Sequence, residues 1–313
     1  MQPTAPIPFA GNPLDRAANL RRDAAWLAEL SAAAEARYLP FWRLNVLVES
    51  AEATGLRWLD LAVRERLDEE NPPLLLGVHE GVAHFAVDLS GLDDPIRELE
   101  LENAAFSDAR QIATQLPPHE AGIVAQARSL LEWHRTHRFC GTCGAPTVVG
   151  LGGHVRTCTR CGAEHFPGPH PVVIMVVWRG DRCLLGRGRG WGQNRFSALA
   201  GFIDHGETIE EAVAREVMEE VGLTVDEVTY HSSQPWPFPM SLMIGCFAHV
   251  ADEETTVDPE ELDEARWFSR EEILQAYADP SSVDFGIPGR IAIAHHIIKA
   301  WSEGRDQVLG NRD

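Results

Sequence analysis

The sequence lacks the features typical of a secreted protein, of a membrane-spanning protein, or of a protein that binds nucleic acid through a large positive charge. No apolar run approaches the ~20 residues of a membrane helix, and residues 1–12 lack the basic-then-apolar order of a signal peptide. Lysine occurs once, at Lys299, and 47 acidic residues outnumber 27 basic ones, so the formal net charge at pH 7 is −20. That charge argues against general, salt-driven binding to nucleic acid or to an anionic membrane. We therefore expect a cytoplasmic protein with no membrane partner.

The N-terminal region, residues 1–130, carries no chemical motif. Its patterns predict a helix over 23–36, a strand over 41–48, a hairpin over 74–87 that turns near Glu80 and Gly81, and helices over 106–116 and 120–138. At 313 residues the chain is long enough for two or more domains. We predict an N-terminal α/β domain of structural or dimerising use.

Two CxxC pairs follow in the middle of the chain. Cys140 and Cys143 form the first pair, Cys158 and Cys161 the second, and a glycine directly after each pair permits a tight turn. Four thiolates suit Zn²⁺, and a closed four-cysteine shell leaves no open position for a reaction. Two disulfides are the alternative, but they need an oxidising compartment. The spacing predicts a structural zinc ribbon over residues 131–168.

The C-terminal region, residues 169–313, alternates predicted strands with helices. Strands are predicted over 172–178, 181–185, 225–232, 242–250 and 266–268, and helices over 270–277 and 289–301. Cys183 and Cys246 lie alone in apolar segments, where we expect them to be buried.

One stretch of this region, residues 201–223, reads GFIDHGETIEEAVAREVMEEVGL. Thr208 and Glu211 fit a capping box at a helix start, and Gly222 fits a left-handed C-terminal cap. At about 100° per residue, four aliphatic side chains form one stripe along this helix: Ile209, Val213, Val217 and Val221.

Three carboxylates lie on an adjacent arc of the same predicted helix. Glu216, Glu219 and Glu220 repel one another once solvent is partly excluded, and a hard cation such as Mg²⁺ or Mn²⁺ would neutralise them. A pair of glutamates alone is usually only a solvated surface.

The spacing of the whole stretch resembles the signature of the Nudix hydrolases, G-x5-E-x7-R-E-U-x-E-E-x-G-U, where U is aliphatic, and every position is filled. The resemblance implies an α/β fold class: a C-terminal Nudix α/β/α sandwich, a central zinc ribbon and an N-terminal α/β domain. A second segment, Ser233 to Ser241 with the sequence SQPWPFPMS, is similar to the mark of the NADH pyrophosphatase branch. The branch implies hydrolysis of NAD(H) to nicotinamide mononucleotide and AMP, removal of NAD caps from RNA as a second activity, and a homodimer.

The resemblance also implies roles for single residues. Glu216, Glu219, Glu220 and Glu261 would hold Mg²⁺ or Mn²⁺, with Glu220, or a metal-bound water that it orients, as the general base. Glu207 and Arg215 would pair and brace the loop. Phe202 and Trp236 would sandwich the nicotinamide ring. The remaining substrate-binding candidates are Gln234, Phe238, Ser241, Phe166 and Ala294. Phe166 stands where the branch can carry a tyrosine, and His295 stands where an arginine is often found.

Two other classes of function stay open at this stage. The first is a Nudix hydrolase for ADP-ribose or dinucleoside polyphosphates, and the second is a non-catalytic nucleotide-binding module, against which the intact carboxylates argue. A cluster of arginines offers a basic surface for capped RNA or is merely an exposed connection between strands: Arg179, Arg182, Arg187, Arg189 and Arg195.

Overall fold

The computed structural model describes residues 7–49, 55–67 and 71–305. The chain divides into two compact units, the first formed by Met1–Pro169 with Pro235–Met240 and the second by His170–Gln234 with Ser241–Asp313. Within the described residues, no helix combines the length and the apolar character that a membrane crossing requires.

The first unit contains a five-stranded sheet in the order β3-β4-β1-β2-β5, with β1 and β4 parallel. Its strands are β1 (Arg37–Trp42), β2 (Asn45–Glu49), β3 (Leu74–His79), β4 (Val82–Asp88) and β5 (Ala104–Ser107). The predicted hairpin over 74–87 is confirmed, and it turns through Glu80 and Gly81 at positive φ. The single strand predicted over 41–48 is wrong, because Arg43 and Leu44 adopt positive φ and turn the chain between β1 and β2.

Four α-helices lie in the described part of the first unit. They are α1 (Ala24–Ala32), α2 (Pro95–Glu98), α3 (Ala109–Ile112) and α4 (Pro118–Thr136). Helix α1 begins after the Asp23 cap as predicted but ends early, since Ala33 is already extended. The helix predicted over 106–116 is mostly wrong: Phe106 belongs to β5, where it pairs with Leu47, and only a short helix follows the cap at Asp108.

A small antiparallel sheet in the same unit carries the four cysteines at its end. It contains β6 (Thr147–Gly150), β7 (Val155–Cys158) and β8 (Glu164–His165) in that order.

The second unit is built on a six-stranded sheet with the path β12-β13-β9-β10-β14, and β11 pairs with β9 off this path. The strands are β9 (His170–Arg179), β10 (Arg182–Gly188), β11 (Leu199–Phe202), β12 (Val225–Trp236), β13 (Ser241–Val250) and β14 (Leu262–Ser269). The helices are α5 (Ile209–Val221), α6 (Arg270–Ala278) and α7 (Ile293–Ser302). Helix α7 starts later than predicted, because Ala292 is still extended.

Alternate residues of strand β9 pack into two separate cores. Ile174 and Val176 lie in the core that contains Ile297 and Trp301 of α7. Their neighbours on β9 lie in the core that contains the apolar stripe of α5: Val173, Met175 and Val177. Helices therefore cover both faces of the sheet, which is the α/β/α sandwich expected from the sequence.

The two sheets share one topology. The order β3-β4-β1-β2-β5 in the first unit corresponds strand for strand to β12-β13-β9-β10-β14 in the second, and the parallel pair lies at the same place in each. Between β2 and β3 of the first unit, the described residues 55–67 and 71–73 contain a short 3₁₀ helix, Leu61–Arg66, and no α-helix, whereas the second unit has strand β11 and helix α5 at the corresponding place.

Candidate active site

Helix α5 begins and ends at the residues that its sequence predicts. The Thr208 hydroxyl accepts a hydrogen bond from the Glu211 amide at 3.2 Å, and the Glu211 carboxylate accepts one from the Thr208 amide at 2.7 Å, which forms the capping box. Gly222 closes the helix at φ 72°, in the left-handed region. The apolar stripe is buried in the core, so the polar side of the helix has a fixed orientation.

Three carboxylates converge beside this helix. Oxygen atoms of Glu216, Glu220 and Glu261 all lie within 4.8 Å of one another. Glu216 and Glu220 are buried, whereas Glu261, from the loop before β14, is exposed. Burial, followed by repulsion from Glu216 and Glu261, raises the pKa of Glu220 to about 8. Three carboxyl groups this close can all ionise only with a compensating positive charge.

The chemistry of this cluster fits a hard divalent cation. The Oε1 atom of Glu220 is buried and makes no hydrogen bond to any described part of the chain, so one lone-pair-bearing atom is available at the centre. All the donor atoms are oxygens, which suits Mg²⁺ or Mn²⁺ rather than a thiolate-seeking metal.

The glycine that opens the signature lies against a carboxylate of the site. A Cβ atom on Gly201 would lie 1.8 Å from the carboxylate carbon of Glu216, well inside van der Waals contact. The Glu216 carboxylate therefore keeps its position only while residue 201 has no side chain.

Arg215 holds the loop and the helix together. Its guanidinium donates to both oxygens of Glu207, at 2.6 and 2.8 Å, and to the Phe202 carbonyl at 2.9 Å. The Arg215 hydrogen bonds lower the pKa of Glu207 to about 2. This is the pairing that the sequence predicts for Glu207 and Arg215. The same guanidinium also binds Glu216 at 2.8 Å.

Glu219 lies outside the three-carboxylate cluster. Its carboxylate accepts a hydrogen bond from Arg215 at 3.0 Å, and its side chain is more than half exposed. The role of Glu219 as a metal ligand stays a prediction.

The predicted substrate residues of the second unit differ in accessibility. Phe202 is 59% exposed at the end of β11, whereas Ser241 and Ala294 are buried. Gln234 is completely buried; its amide nitrogen donates to the Ile291 carbonyl and its oxygen accepts from the Ile293 amide, both at 2.8 Å. Both ends of the Gln234 side-chain amide are therefore bonded to the chain at the start of α7, and a contact of Gln234 with substrate stays a prediction.

The other predicted substrate residues lie in the first unit. Phe166 follows β8 and is 61% exposed, and Trp236 and Phe238 belong to the segment Pro235–Met240. Because Phe202 and Trp236 fall in different units, their joint stacking on one ring stays a prediction.

The four cysteines of the CxxC pairs form a second group of ligand atoms. Their sulfur atoms lie within 4.8 Å of one another, with Cys143 and Cys158 at 3.4 Å and Cys140 and Cys161 at 3.8 Å. All are free thiols, and sulfur atoms bound to one Zn²⁺ in a tetrahedron are spaced by about 3.8 Å. The group fits a structural zinc ion, and His165, whose Nε2 is 3.3 Å from the Cys140 sulfur, stands beside it.

The arginine cluster does not form a free basic surface. Arg179 and Arg182 bind Glu253, and Arg189 binds Glu260. Arg187 binds two further carboxylates, Asp263 and Glu264, and the Arg195 guanidinium lies over the Trp191 ring. Of the two interpretations of the cluster, these ion pairs favour the exposed connection between strands, since four of its five arginines bind neighbouring carboxylates. A role of the cluster in RNA binding stays a prediction.

Backbone groups are the part of the site that sequence reasoning missed. The Ala200 amide donates to the Glu220 carboxylate, and the Phe202 carbonyl accepts from Arg215. Every residue has the same main-chain groups, so residue identity does not show which of them face the site. Only the fold locates them.

Comparison with known families places this geometry in context. Residues 168–285 match the NUDIX domain, residues 35–133 an NADH pyrophosphatase-like rudimentary NUDIX domain, and residues 135–166 an NADH pyrophosphatase zinc ribbon domain. The shared topology of the two sheets agrees with the first two matches.

Named relatives cover most of the chain. The NAD-capped RNA hydrolase NUDT12 of Macaca fascicularis is 38% identical over 339 residues, 94% of this chain and 72% of the relative. The mitochondrial NAD(P)H pyrophosphatase NUDT13 of Homo sapiens is 39% identical, covering 71% of this chain and 68% of the relative. The NAD-capped RNA hydrolase NudC of Stutzerimonas stutzeri is 36% identical, covering 76% and 82%. The chain spans half the length of the human NUDT12.

The α/β/α sandwich and its cluster of carboxylates are the features of a hydrolase that uses a divalent metal ion. The chain belongs to the Nudix hydrolase family, and two of its three matched regions are described as domains of the NADH pyrophosphatase type.

Proposed function

We propose that this protein hydrolyses the pyrophosphate bond of NAD(H) to give nicotinamide mononucleotide and AMP. The observation that carries the proposal is the convergence of Glu216, Glu220 and Glu261 beside helix α5, with the buried Glu220 Oε1 unbonded within the described residues. Relatives named as NAD-capped RNA hydrolases and NAD(P)H pyrophosphatases support the choice of substrate class.

The residues divide the chemical work between them. A divalent cation held by Glu216, Glu220 and Glu261 would supply charge neutralisation at the pyrophosphate and polarise it for attack. Positive charge near Glu220 favours its ionised form, and the Glu220 carboxylate then accepts the proton of the attacking water. Arg215 keeps Glu216 and the 201–207 loop in place through its bonds to Glu207 and the Phe202 carbonyl.

We propose Mg²⁺ or Mn²⁺ as the catalytic cation and a homodimer as the working assembly. The all-oxygen ligand set supports the first of these proposals, and the family resemblance supports the second. The cytoplasmic location expected from the sequence stays a prediction.

Removal of NAD caps from RNA is a second proposed activity, supported by the names of NUDT12 and NudC relatives. Because carboxylates neutralise most of the arginines at 179–195, we do not assign RNA binding to that cluster. Reversing these arginines should therefore reduce cleavage of capped RNA and free NADH to the same small extent.

The test is product analysis of NADH hydrolysis by chromatography, with metal-stripped protein and with added Mg²⁺ or Mn²⁺. We expect equal amounts of reduced nicotinamide mononucleotide and AMP, and only when metal is present. ADP-ribose and dinucleoside polyphosphates are assayed in separate reactions for comparison. Faster turnover of either compound than of NADH would favour a Nudix hydrolase for that compound.

A further inference from the structure

The segment Pro235–Met240, called the loop below, contains the last two residues of β12 and the connection to β13. It belongs to the first unit, whereas the rest of β12 and all of β13 belong to the second. The loop carries two aromatic rings, Trp236 and Phe238, whose centroids lie 5.2 Å apart at an interplanar angle of 75°. Phe9, which is buried, packs edge-on against both rings, at 6.2 Å from Trp236 and 5.7 Å from Phe238. The three rings form one cluster in which each ring limits the rotation of the others.

Two arginines of the first unit are placed over this cluster. The guanidinium carbons of Arg110 and Arg128 lie 4.4 and 4.7 Å from the centroid of the Phe238 ring, and that of Arg110 also lies 5.4 Å from Trp236. Arg128 in addition donates a hydrogen bond to the Pro237 carbonyl. The loop is thus bound through both its rings and its backbone.

The arginines themselves stand on fixed elements. Arg110 is the second residue of helix α3, where the Asp108 carboxylate accepts hydrogen bonds from the Arg110 and Gln111 amides at 2.8 and 3.3 Å. Arg128 projects from α4, whose residues Val124 and Ala127 are completely buried. Burial lowers the pKa of Arg128, and a cation–π contact gains strength when its cation is partly desolvated.

We propose that Arg110 and Arg128 are positioning residues that fix the ring of Trp236 for stacking on the nicotinamide of the substrate. This rests on the proposed function and on the stacking role that the family resemblance implies for Trp236. Without the guanidinium groups, Phe238 can rotate, and Trp236, which packs against it, rotates with it. An aromatic stack depends on ring orientation, so recognition of nicotinamide weakens while the pyrophosphate chemistry is left intact.

The test compares two substrates that share the ADP half and differ in the nicotinamide. We would measure kcat and KM for NADH and for ADP-ribose in the wild type, Arg110→Ala and Arg128→Ala. If ADP-ribose is not cleaved, its inhibition constant against NADH is measured instead. The preference for NADH should fall about tenfold, mainly through KM, which corresponds to the loss of a cation–π contact. Arg43→Ala is the matched control, because Arg43 makes the same kind of contact, at 4.4 Å, with Trp42 elsewhere in the first unit.

A second background separates positioning from a general structural effect. In Trp236→Ala protein, the arginine substitutions should no longer change the NADH preference, because the ring on which they act is gone. Arg110 is exposed, so Arg110→Ala is expected to fold, and Arg128→Lys replaces Arg128→Ala if the latter does not.

Three results would overturn the proposal: equal losses on both substrates, an unchanged preference in Arg110→Ala and Arg128→Ala, or an arginine effect that persists without Trp236. If the wild type produces mononucleotides from NADH and one of these results is obtained, the positioning role fails while the proposed function stands. A wild-type protein that leaves NADH intact would remove both.

Discussion

At the scale of single residues, the site depends on a carboxyl group in an environment that does not favour its charge. Glu220 is 3% exposed and lies against Glu216 and Glu261, so water cannot solvate its ionised form. Such an arrangement costs free energy in the absence of a cation, and it is retained in active sites because it creates a cation-binding position.

The first prediction concerns the proton acceptor. Glu220→Gln keeps the size of the side chain but removes its charge, so kcat for NADH should fall by about 10²- to 10⁴-fold. Steady-state kinetics would measure the change, and circular dichroism would check the fold. Glu210→Gln, on the exposed first turn of the same helix, is the control and should keep its activity. A Glu220→Gln protein as active as the parent would reject the assignment of the base.

The second prediction concerns the close approach of β11 to the site. In Gly201→Ala the new methyl group would overlap the Glu216 carboxylate and displace it. A displacement of about 1 Å can cost about 100-fold in rate, and we expect a loss of this size together with weaker Mn²⁺ binding by calorimetry. Gly192→Ala is the control, since nothing lies within 4 Å of its added methyl group. Unchanged Mn²⁺ affinity in Gly201→Ala would contradict this account of the glycine.

At the scale of elements, the position of α7 depends on one amide side chain. The Gln234 side chain bonds the Ile291 carbonyl and the Ile293 amide, just before the buried turn that carries Ala294. Helix α7 has no side-chain cap of its own, so this contact takes the place of an N-terminal cap.

The third prediction follows from that contact. Gln234→Ala leaves the buried Ile293 amide and the partly buried Ile291 carbonyl without this partner, which should lower the free energy of unfolding by about 1–3 kcal/mol. Urea denaturation would measure the change. The exposed Gln275, which bonds only the Ser282 side chain, gives the control Gln275→Ala with little effect. Equal stability of the two variants would show that the Gln234 amide does not hold the helix.

The helix at the site could be predicted from sequence far better than the elements around it. Helix α5 is fixed locally by the Thr208–Glu211 box and by Gly222, so its bounds are readable from residue identity. The turn at Arg43 and Leu44 is not readable in this way, since neither residue favours positive φ and tertiary packing imposes it. Gln234 illustrates the same limit, because its partners at Ile291 and Ile293 are set by the fold and not by the motif.

At the scale of the whole molecule, a buried histidine links the stability of the first unit to pH. His134 donates to the Gly153 carbonyl at 2.8 Å, and its other ring nitrogen is 3.0 Å from Arg156, so the imidazole is neutral. Burial is the main cause that lowers the pKa of His134 to about 4.

The fourth prediction is a loss of stability in mild acid. An unfolded chain protonates this histidine near pH 6.5, whereas the folded chain does so only near pH 4, so the unfolded state binds more protons in between. The free energy of unfolding should therefore fall as the pH is lowered from about 6.5 to about 4. Urea midpoints across this range would measure the slope. His134→Asn should show a shallower slope than the exposed-site control His205→Asn, and identical slopes would contradict the prediction.

The central claim is that acidic side chains on one Nudix helix, loaded with a cation, break a phosphoanhydride. Phosphorus NMR tests this most directly. NADH is mixed with metal-stripped protein, Mg²⁺ free of Mn²⁺ is then added, and the two pyrophosphate resonances of NADH are followed. The account predicts their replacement by two phosphomonoester resonances in the wild type, upon metal addition only, and their persistence in Glu220→Gln. Cleavage without metal, or equal cleavage by Glu220→Gln, would contradict it.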